Sequence, residues 1–486
     1  MAYRYGENRK QITLFPQSLD QYVSEDHPVR AYDAFVDSLD FVELGIELDD
    51  RKVGNSQYDP RSMLKLLIYG YSYGVKSSRK LEREVHNNLS FIWLIRNLKP
   101  DHKTIAEFRR NNSEALKNAL KLCARLCLKI GLIQGNILFV DGTKIRANAS
   151  LGHHHEKQWY QEQLKKVDQR IHQLLAECER CDQDEETQGS LVKMPKELKN
   201  QQHLKASIKS ALAEFDKYKE RTKDGNLRQI NRVDPESTRM ISRKGYHPSY
   251  NVQSVVDDQN GLIVHVDVVN DANDQNQLSK QIIEAQENLE CECTTVCADA
   301  GYTNIEDIYK LESDERSVIV PTPRQVSGKE PGPFDRSKFT YDDSDDCYYC
   351  PEGQRLIFRG FQDKEQKKRN YRIEKPMVCK KCQHFGKCTA AKSGRTIIRH
   401  ALELLREKVI KRYLEPEAQK IYKRRKMRVE HPFGYIKKSQ NFNQFQVRGL
   451  RGALTEASLL ATSFNLIRMI GLLGGVKQFM AKIEPV

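Results

Sequence analysis

Asn136-Ile137-Leu138-Phe139-Val140-Asp141-Gly142 is where the character of the chain changes. Upstream of it, Met63–Tyr73, Arg79–His86, Thr104–Arg110 and Ser113–Ile130 carry apolar residues at three- and four-residue spacing, which predicts helices, and Asp59 and Asp101 stand at plausible helix starts. From Ile137 the apolar residues run together and stop at Asp141-Gly142, which predicts a buried strand with a turn at its end. Further on, Tyr250–Val256 and Leu262–Val269 flank the turn-rich Asp257-Asp258-Gln259-Asn260-Gly261, as the arms of a hairpin do. A helix is expected over Asp274–Asn288. Thr294-Thr295-Val296-Cys297-Ala298-Asp299 is then a second apolar run ending in an aspartate. A short helix over Asn304–Leu311 and a strand at Ser317–Val320 complete the series. Strand, hairpin, helix, strand, helix, strand describes a mixed α/β sheet covered by helices.

Two insertions interrupt that order. Glu156–Lys223, rich in Lys, Glu, Gln and Leu, reads as a helical hairpin or coiled-coil arm broken near Asp182–Pro195. Gly328–Lys392 is polar, bears cysteines and shows little helical pattern; Ala401–Lys438 is basic and helical, and Gly452–Leu473 is an apolar closing helix. The expected division is a helical N-terminal domain at 1–135 and an α/β core at 136–324 and 393–474. The core holds a helical insertion at 152–245 and a cysteine-rich insertion at 325–392, and a tail follows at 475–486. The N-terminal helices suit either a packing domain or a reader of specific DNA sites.

The 486 residues carry 80 Lys and Arg against 66 Asp and Glu, a net charge of +14, which favours a polyanionic partner. Part of that charge lies in helices where Lys and Glu alternate to keep a face solvated. No apolar run approaches the length that crosses a bilayer, and the first residues lack a secretion signal's apolar stretch, so a cytoplasmic protein with no membrane partner is expected. The 12 cysteines then read as reduced thiols or metal ligands.

Asp141 and Asp299 each end an apolar run, and neighbouring strands of one sheet would bring those ends together. Two close carboxylates repel unless a cation shares them, and oxygen donors suit Mg2+ or Mn2+. Taken singly, Asp141-Gly142 and Asp299-Ala300-Gly301 are also ordinary turn sequences. Cys347-x2-Cys350 and Cys379-x2-Cys382, with Cys388 close behind, have the paired spacing of a tetrahedral zinc site; five thiols compete for four places, and His384 is an outside candidate. Cys123, Cys127, Cys178, Cys181, Cys291, Cys293 and Cys297 read as packing or surface residues. The basic run Tyr422–Arg428 suits phosphate tracking or a solvated face. His153-His154-His155 reads as a mobile loop, and Trp93 and Trp159 as packing residues, with Trp159 also able to meet DNA.

Three blocks, FVDGTKIRANAS at 139–150, VCADAGYTN at 296–304 and RVEHPFGYIKK at 428–438, resemble the signature blocks of the DDE transposases of bacterial insertion sequences, in particular the insertion-sequence-1182 group with its DUF772-like N-terminal domain. Further segments at 58–82, 100–112, 249–269 and 449–468 match that group in order, so the resemblance spans nearly the whole chain. It implies an RNase H-like core in which Asp141, Asp299 and Glu430 are the catalytic acids and hold two Mg2+ or Mn2+ ions. It also implies double-stranded DNA, both element ends and target, as substrate, and a homodimer in the synaptic complex. The family's third block carries Tyr, Arg, Glu and Lys. Here Tyr422 and Lys437 fit, whereas either Arg425 or Lys426 can take the phosphate-contacting place, because Arg425 stands one residue too far from Glu430. Pro432 implies that the helix either kinks or begins there. A related pattern, Cys350 before Pro351-Glu352-Gly353, favours Cys350, Cys379, Cys382 and Cys388 as zinc ligands, with Cys347 as the alternative. The rival readings are a non-cutting, zinc-containing DNA-binding protein derived from a transposase, and a metal-dependent repair nuclease.

Overall fold

The computed structural model describes residues 18–48, 57–185, 196–220, 225–242, 245–328 and 330–483. The N-terminal helices form where their spacing predicts: α1 Pro60–Ser72, α2 Ser78–Asn87, α3 His102–Asn111 and α4 Ser113–Lys129. The Asp59 side chain accepts from the Arg61 amide, and Asp101 from that of Thr104, so both expected starts are capped. From Ser62 to Ser72 every residue of α1 is buried, because its polar positions are satisfied inside the fold. Lys65, for example, pairs with Asp33 at 2.5 Å and Asp37 at 2.8 Å.

The first strand does not stop at Asp141. β1 runs Ile137–Arg146, and Leu138 to Arg146 pair residue for residue with Asp257 to Ser249. A ladder of that length overrides the local turn preference of Asp-Gly. The remaining strands of this sheet are β2 Thr238–Ser242, β3 Gly245–Asp257, β4 Ile263–Val269, β5 Thr295–Cys297 and β6 Ser317–Ile319. Their order is β2-β3-β1-β5-β6, with β4 taking the half of the β3 edge that β2 leaves free. β1 is antiparallel to β3 and parallel to β5, so the sheet is mixed, as expected. The hairpin between β3 and β4 is fixed by Asp257, whose carboxylate accepts from the amides of Gly135 and Gln259.

In the helical insertion, α5 Lys157–Glu185 and α6 Lys196–Phe215 pack around Tyr160, Val167, Ile208 and Phe215. The segment joining them, 186–195, lies outside the described residues, and so do the side chains of Cys178 and Cys181. The triple histidine is not a loop: His154–Glu156 pairs with Gln229–Asn231 as a short ribbon, and His155 stacks on Trp159 at 3.5 Å. Trp93 packs at Arg30 and donates to Asp20. α7, Leu278–Leu289, follows β4 and covers the sheet.

The cysteine-bearing segment has more order than its polarity predicts. β7 Thr340–Asp342, β8 Cys347–Tyr349, β9 Arg355–Phe361, β10 Lys368–Ile373 and β11 Thr396–His400 form one antiparallel sheet in sequence order. It buries a core of its own, Phe339, Tyr348, Leu356, Tyr371, Ile373 and Ile397, and its last strand lies beyond the expected limit at 392.

The basic helical region is broken at Glu415-Pro416 into α8 Glu403–Leu414 and α9 Pro416–Lys438. Pro432 neither starts nor ends a helix; α9 runs through it. α10, Leu450–Leu472, closes the fold, and the expected tail is a helix, Val476–Ile483, with Val476, Phe479 and Ile483 buried. One apolar core extends from the N-terminal helices through the six-stranded sheet to α9 and α10, so the expected boundary at 135 is crossed by continuous packing. Among the described residues no single helix is long and apolar enough to cross a membrane.

Candidate active site and cysteine cluster

Register places the two aspartates. Phe139 of β1 pairs with Cys297 at the end of β5, so two residues further along parallel strands Asp141 and Asp299 stand level. β5 stops there while β1 continues, which opens the sheet on one side of Asp141. Asp299 starts a turn, its Oδ1 accepting from the Gly301 amide at 2.8 Å. α9 lies against this part of the sheet through Arg425, Val429, Phe433 and Ile436, all buried.

Arg425 joins the pair: its Nη2 is 3.1 Å from Asp141 Oδ1 and 3.6 Å from Asp299 Oδ2. Its buried Nε has no hydrogen-bond partner. Burial pushes the Asp141 carboxyl up to about 6; the Arg425 guanidinium opposes the rise, and the Asp299 charge adds to it. The Tyr422 ring lies beneath Arg425, 5.8 Å from centroid to guanidinium, and meets Tyr413 edge-on. Lys437 donates to Thr143 Oγ1, one same-face position beyond Asp141.

The structure therefore brings together Asp141, Asp299, Arg425, Tyr422 and Lys437. Lys426 is exposed, so Arg425 is the cation at the acids. Glu430 is exposed on α9 and forms no hydrogen bond or ion pair within the described residues. Among these residues no group of three or more His, Cys, Asp or Glu side chains closes to metal-binding distance. What the site offers a divalent ion is two hard oxygen donors already facing one cation. The basic run is also less free than its sequence suggests: Arg424 holds Asp258 with two contacts of 3.0 and 2.6 Å, and Arg428 lies 3.9 Å from the same carboxylate.

Sequence reading missed a third carboxylate, Asp274. Its Oδ1 accepts from Asn251 Nδ2 and Gln253 Nε2, both at 2.7 Å, and Gln253 Oε1 accepts from the Tyr302 hydroxyl at 2.5 Å. A Cβ on Gly142 would stand 2.7 Å from Gln253 Nε2 and closer still to Asp274 Oδ1; one on Gly301 would stand 2.9 Å from Asp299 Oδ1 and 3.3 Å from Asp274 Oδ2. Two glycines thus let Asp274 approach from the Gly142 side of β1, opposite the side chain of Asp141. In the sequence Asp274 is one of several aspartates in a turn before a helix, and no local signal marks it out.

The cysteines settle into two groups. Cys350, Cys379, Cys382 and Cys388 line one pocket, whereas Cys347 is enclosed elsewhere beside Tyr349 and Arg355. His384 lines the pocket too, but its Nε2 is 3.1 Å from Glu352 and its ring leans on Phe334. The Cys350 turn is tight: Gly353 has φ +70°, and the Gln354 amide points at Cys350 Sγ at 3.3 Å. A Cβ on Gly394 would run into the Ile373 side chain and stand 3.3 Å from Cys379 Sγ, so that glycine lets the chain pass close to both. Burial raises the Cys388 thiol; Arg395 opposes this, and the other three thiols add to it, which is the repulsion a shared cation relieves. These four side chains have the donor type that zinc takes and share one pocket, but among the described residues no three of them close to bonding distance. All ten described cysteines are free thiols.

The site is thus a helical module packed on a mixed sheet, with two level aspartates held by an arginine from a later helix. The family described as "Transposase domain (DUF772)" matches residues 17–111, and that described as "Transposase DDE domain" matches 349–470. The two matches together support a DDE transposase of the insertion-sequence type. Asp141 and Asp299 lie between the two matched regions; Tyr422, Arg425, Glu430 and Lys437 lie within the second. No curated protein matches the chain. A solved structure titled "Cryo-EM structure of piggyBac transposase synaptic complex with hairpin DNA (SNHP)" is similar with a TM-score of 0.34 and 10% identity over 95% of this chain and 80% of that one, a likeness too distant to assign anything.

Proposed function

We propose that this transposase cuts DNA phosphodiesters at the ends of its element and joins the freed 3′-hydroxyls to target DNA at Asp141 and Asp299. The observation that carries the reading is two aspartates from different strands set level around one guanidinium. The strand order, with β3 antiparallel and β5 parallel to a central β1, supports an RNase H-like core.

In this reading Asp141 and Asp299 would hold Mg2+ or Mn2+, and Glu430, exposed on α9, is the third acid that the family resemblance implies. Such ions, when bound as a pair, lower the pKa of a water and offset charge on the phosphate. The protein's own groups do the rest. Arg425 neutralises the two carboxylates, and its planar fork also matches a phosphate, so it can exchange one partner for the other as DNA enters. Tyr422 supports that fork from below. Lys437 at Thr143 supplies a second positive charge along β1. The N-terminal helices read the terminal inverted repeats, a homodimer pairs two ends, and zinc on Cys350, Cys379, Cys382 and Cys388 stiffens the insertion. The protein works in the cytoplasm at the nucleoid.

The exposure of Glu430 favours the rival reading of a non-cutting DNA-binding derivative. Incubation with duplex bearing the element's end and Mg2+ separates the two. Nicking by the unmodified protein, abolished in Asp141→Ala and Asp299→Ala and strongly reduced in Glu430→Ala, is the expected result. Tight binding without nicking by the unmodified protein selects the non-cutting reading.

A further inference from the structure

A cleft of about 1030 Å3, solvent side included, separates the N-terminal helices from the loop after α9. Arg110 and Ser113 line it from one side, and Asn148, Val447, Arg448 and Arg451 from the other. Arg448 Nε donates to the Asn148 carbonyl at 3.2 Å, and Arg451 Nε donates to Ser113 Oγ. Among the described residues neither arginine forms an ion pair; both are held in place by neutral oxygens, and Asp234 feels the Arg448 charge only from a distance. Among the described residues Arg110 pairs only with Glu107, at 3.5 Å, and both are largely exposed.

The nearby carboxylates are already engaged. Glu456 is covered, accepting from Tyr71 and the Gln446 amide and lying 3.8 Å from Arg109. Asp234 and Glu236 accept from the amides of Gly449 and Leu450 at the start of α10. The cleft is therefore net basic at its mouth.

Its position is set by β1. The strand stays paired through Ala147, whose amide donates to the Pro248 carbonyl, and cations follow it outward: Arg425 at Asp141, Lys437 at Thr143, Arg448 at Asn148. Seven residues of extended chain span about 23 Å. Along one strand of duplex DNA phosphates recur every 3.4 Å of axis, so that span is about seven base pairs.

We propose that this cleft grips the backbone of duplex DNA about seven base pairs from the phosphodiester at Asp141 and Asp299. The inference rests on the reading of that pair as the cutting site. The contact is to phosphate rather than to bases, because guanidiniums fixed by main-chain and hydroxyl oxygens present charge at a set place without reaching into a groove. It positions the duplex, and its loss weakens all sequences alike.

The test uses the full chain and two duplexes bearing the terminal repeat. One extends about fifteen base pairs to each side of the cut, and the other is shortened to about five on one side, each side in turn. Anisotropy titrations at several salt concentrations compare the parent with Arg448→Ala/Arg451→Ala and with Arg110→Ala, whose exposed side chain bears no structural load. The double variant is expected to lose about tenfold in affinity for the long duplex and to lower the salt slope by about two; Arg110→Ala lowers it by about one. On the duplex shortened on the contacted side, parent and variants bind alike. Equal losses on both duplexes, or an unchanged salt slope in every variant, overturn the cleft while leaving the cutting reading intact. A parent that binds neither duplex overturns both.

Discussion

One missing methyl group at Gly142 decides how the acidic site is packed. In sequence Asp141-Gly142 reads as a turn, yet the glycine sits inside a strand, where its value is the space it leaves for Asp274 and Gln253. Gly142→Ala is expected to cost about 1–3 kcal/mol in urea unfolding and to depress nicking further than that loss explains, because the displaced carboxylate borders Gly301 and the Asp299 turn. The sequence offers this glycine only as half of a turn; its role depends on the β3 register and on residues more than a hundred positions away. His265 of β4 offers a pH test remote from the acids. Asn288 Nδ2 donates to its Nδ1 at 3.2 Å, leaving the proton of a neutral ring on Nε2, 3.3 Å from Glu284. Burial lowers its pKa to about 4 from 6.5; Asp267 opposes the drop, and Lys117 and Lys280 add to it. A histidine depressed in the fold binds its proton more readily when unfolded, so its contribution is complete above pH 6.5 and is lost as pH falls toward 4. Unfolding free energies at pH 7.5 and 4.5 should differ by on the order of 3 kcal/mol more in the parent than in His265→Leu. Equal differences in the two proteins exclude the buried neutral ring.

At the level of elements, α10 and α9 show what patterning does and does not convey. The apolar run at 452–473 announced a buried closing helix, and α10 is one. Its buried polar residues carried no such signal, because two of them are satisfied by distant segments: Asn465 bonds both backbone groups of Ile263, and Ser463 donates to the Ile68 carbonyl. Glu456 does most in this respect. It accepts from Tyr71 and from the amides of Gln446 and Val447 beside Arg109, and so ties α1, α3 and the loop after α9 to one buried charge. Glu456→Ala leaves Arg109 without its counter-charge in the interior and should cost about 3–5 kcal/mol, with Glu456→Gln milder because it keeps an acceptor. Chemical denaturation of both variants checks the ranking; an alanine variant as stable as the parent denies the network its role. α9 teaches the opposite lesson. Local rules put a kink or a start at Pro432, but Val429, Phe433 and Ile436 bury against the sheet and α10 on either side of it, and that packing carries the helix past one missing hydrogen bond. The same continuity puts Arg425 on the acids and leaves Glu430 facing out, which fixed spacing in a sequence does not reveal.

Across the whole molecule, the main core and the cysteine-bearing sheet are stabilised by different means, and this can be tested without reference to cutting. The main core is continuous from the N-terminal helices to α10, whereas among the described residues the insertion's own apolar cluster has six buried side chains around Leu356 and Tyr371. Sequence composition predicted a segment too polar to fold unaided; what it hid was the alternation of aromatic residues along β8 to β10 that supplies a small core. A core of that size is marginal, and domains this small usually rely on a metal or a disulfide. No disulfide joins the described cysteines, while four of them line one pocket. The protein should therefore carry about one zinc ion per chain by elemental analysis, and Cys382→Ser should lower that content severalfold. Removing zinc with a chelator should expose the segment between β7 and β11 to protease while the main core keeps its cooperative unfolding, since Glu456 and the six-stranded sheet lie outside the insertion. Chelation that leaves the insertion protease-resistant, in a protein that contains no zinc as isolated, assigns its stability to the aromatic core alone and reduces the four cysteines to packing residues.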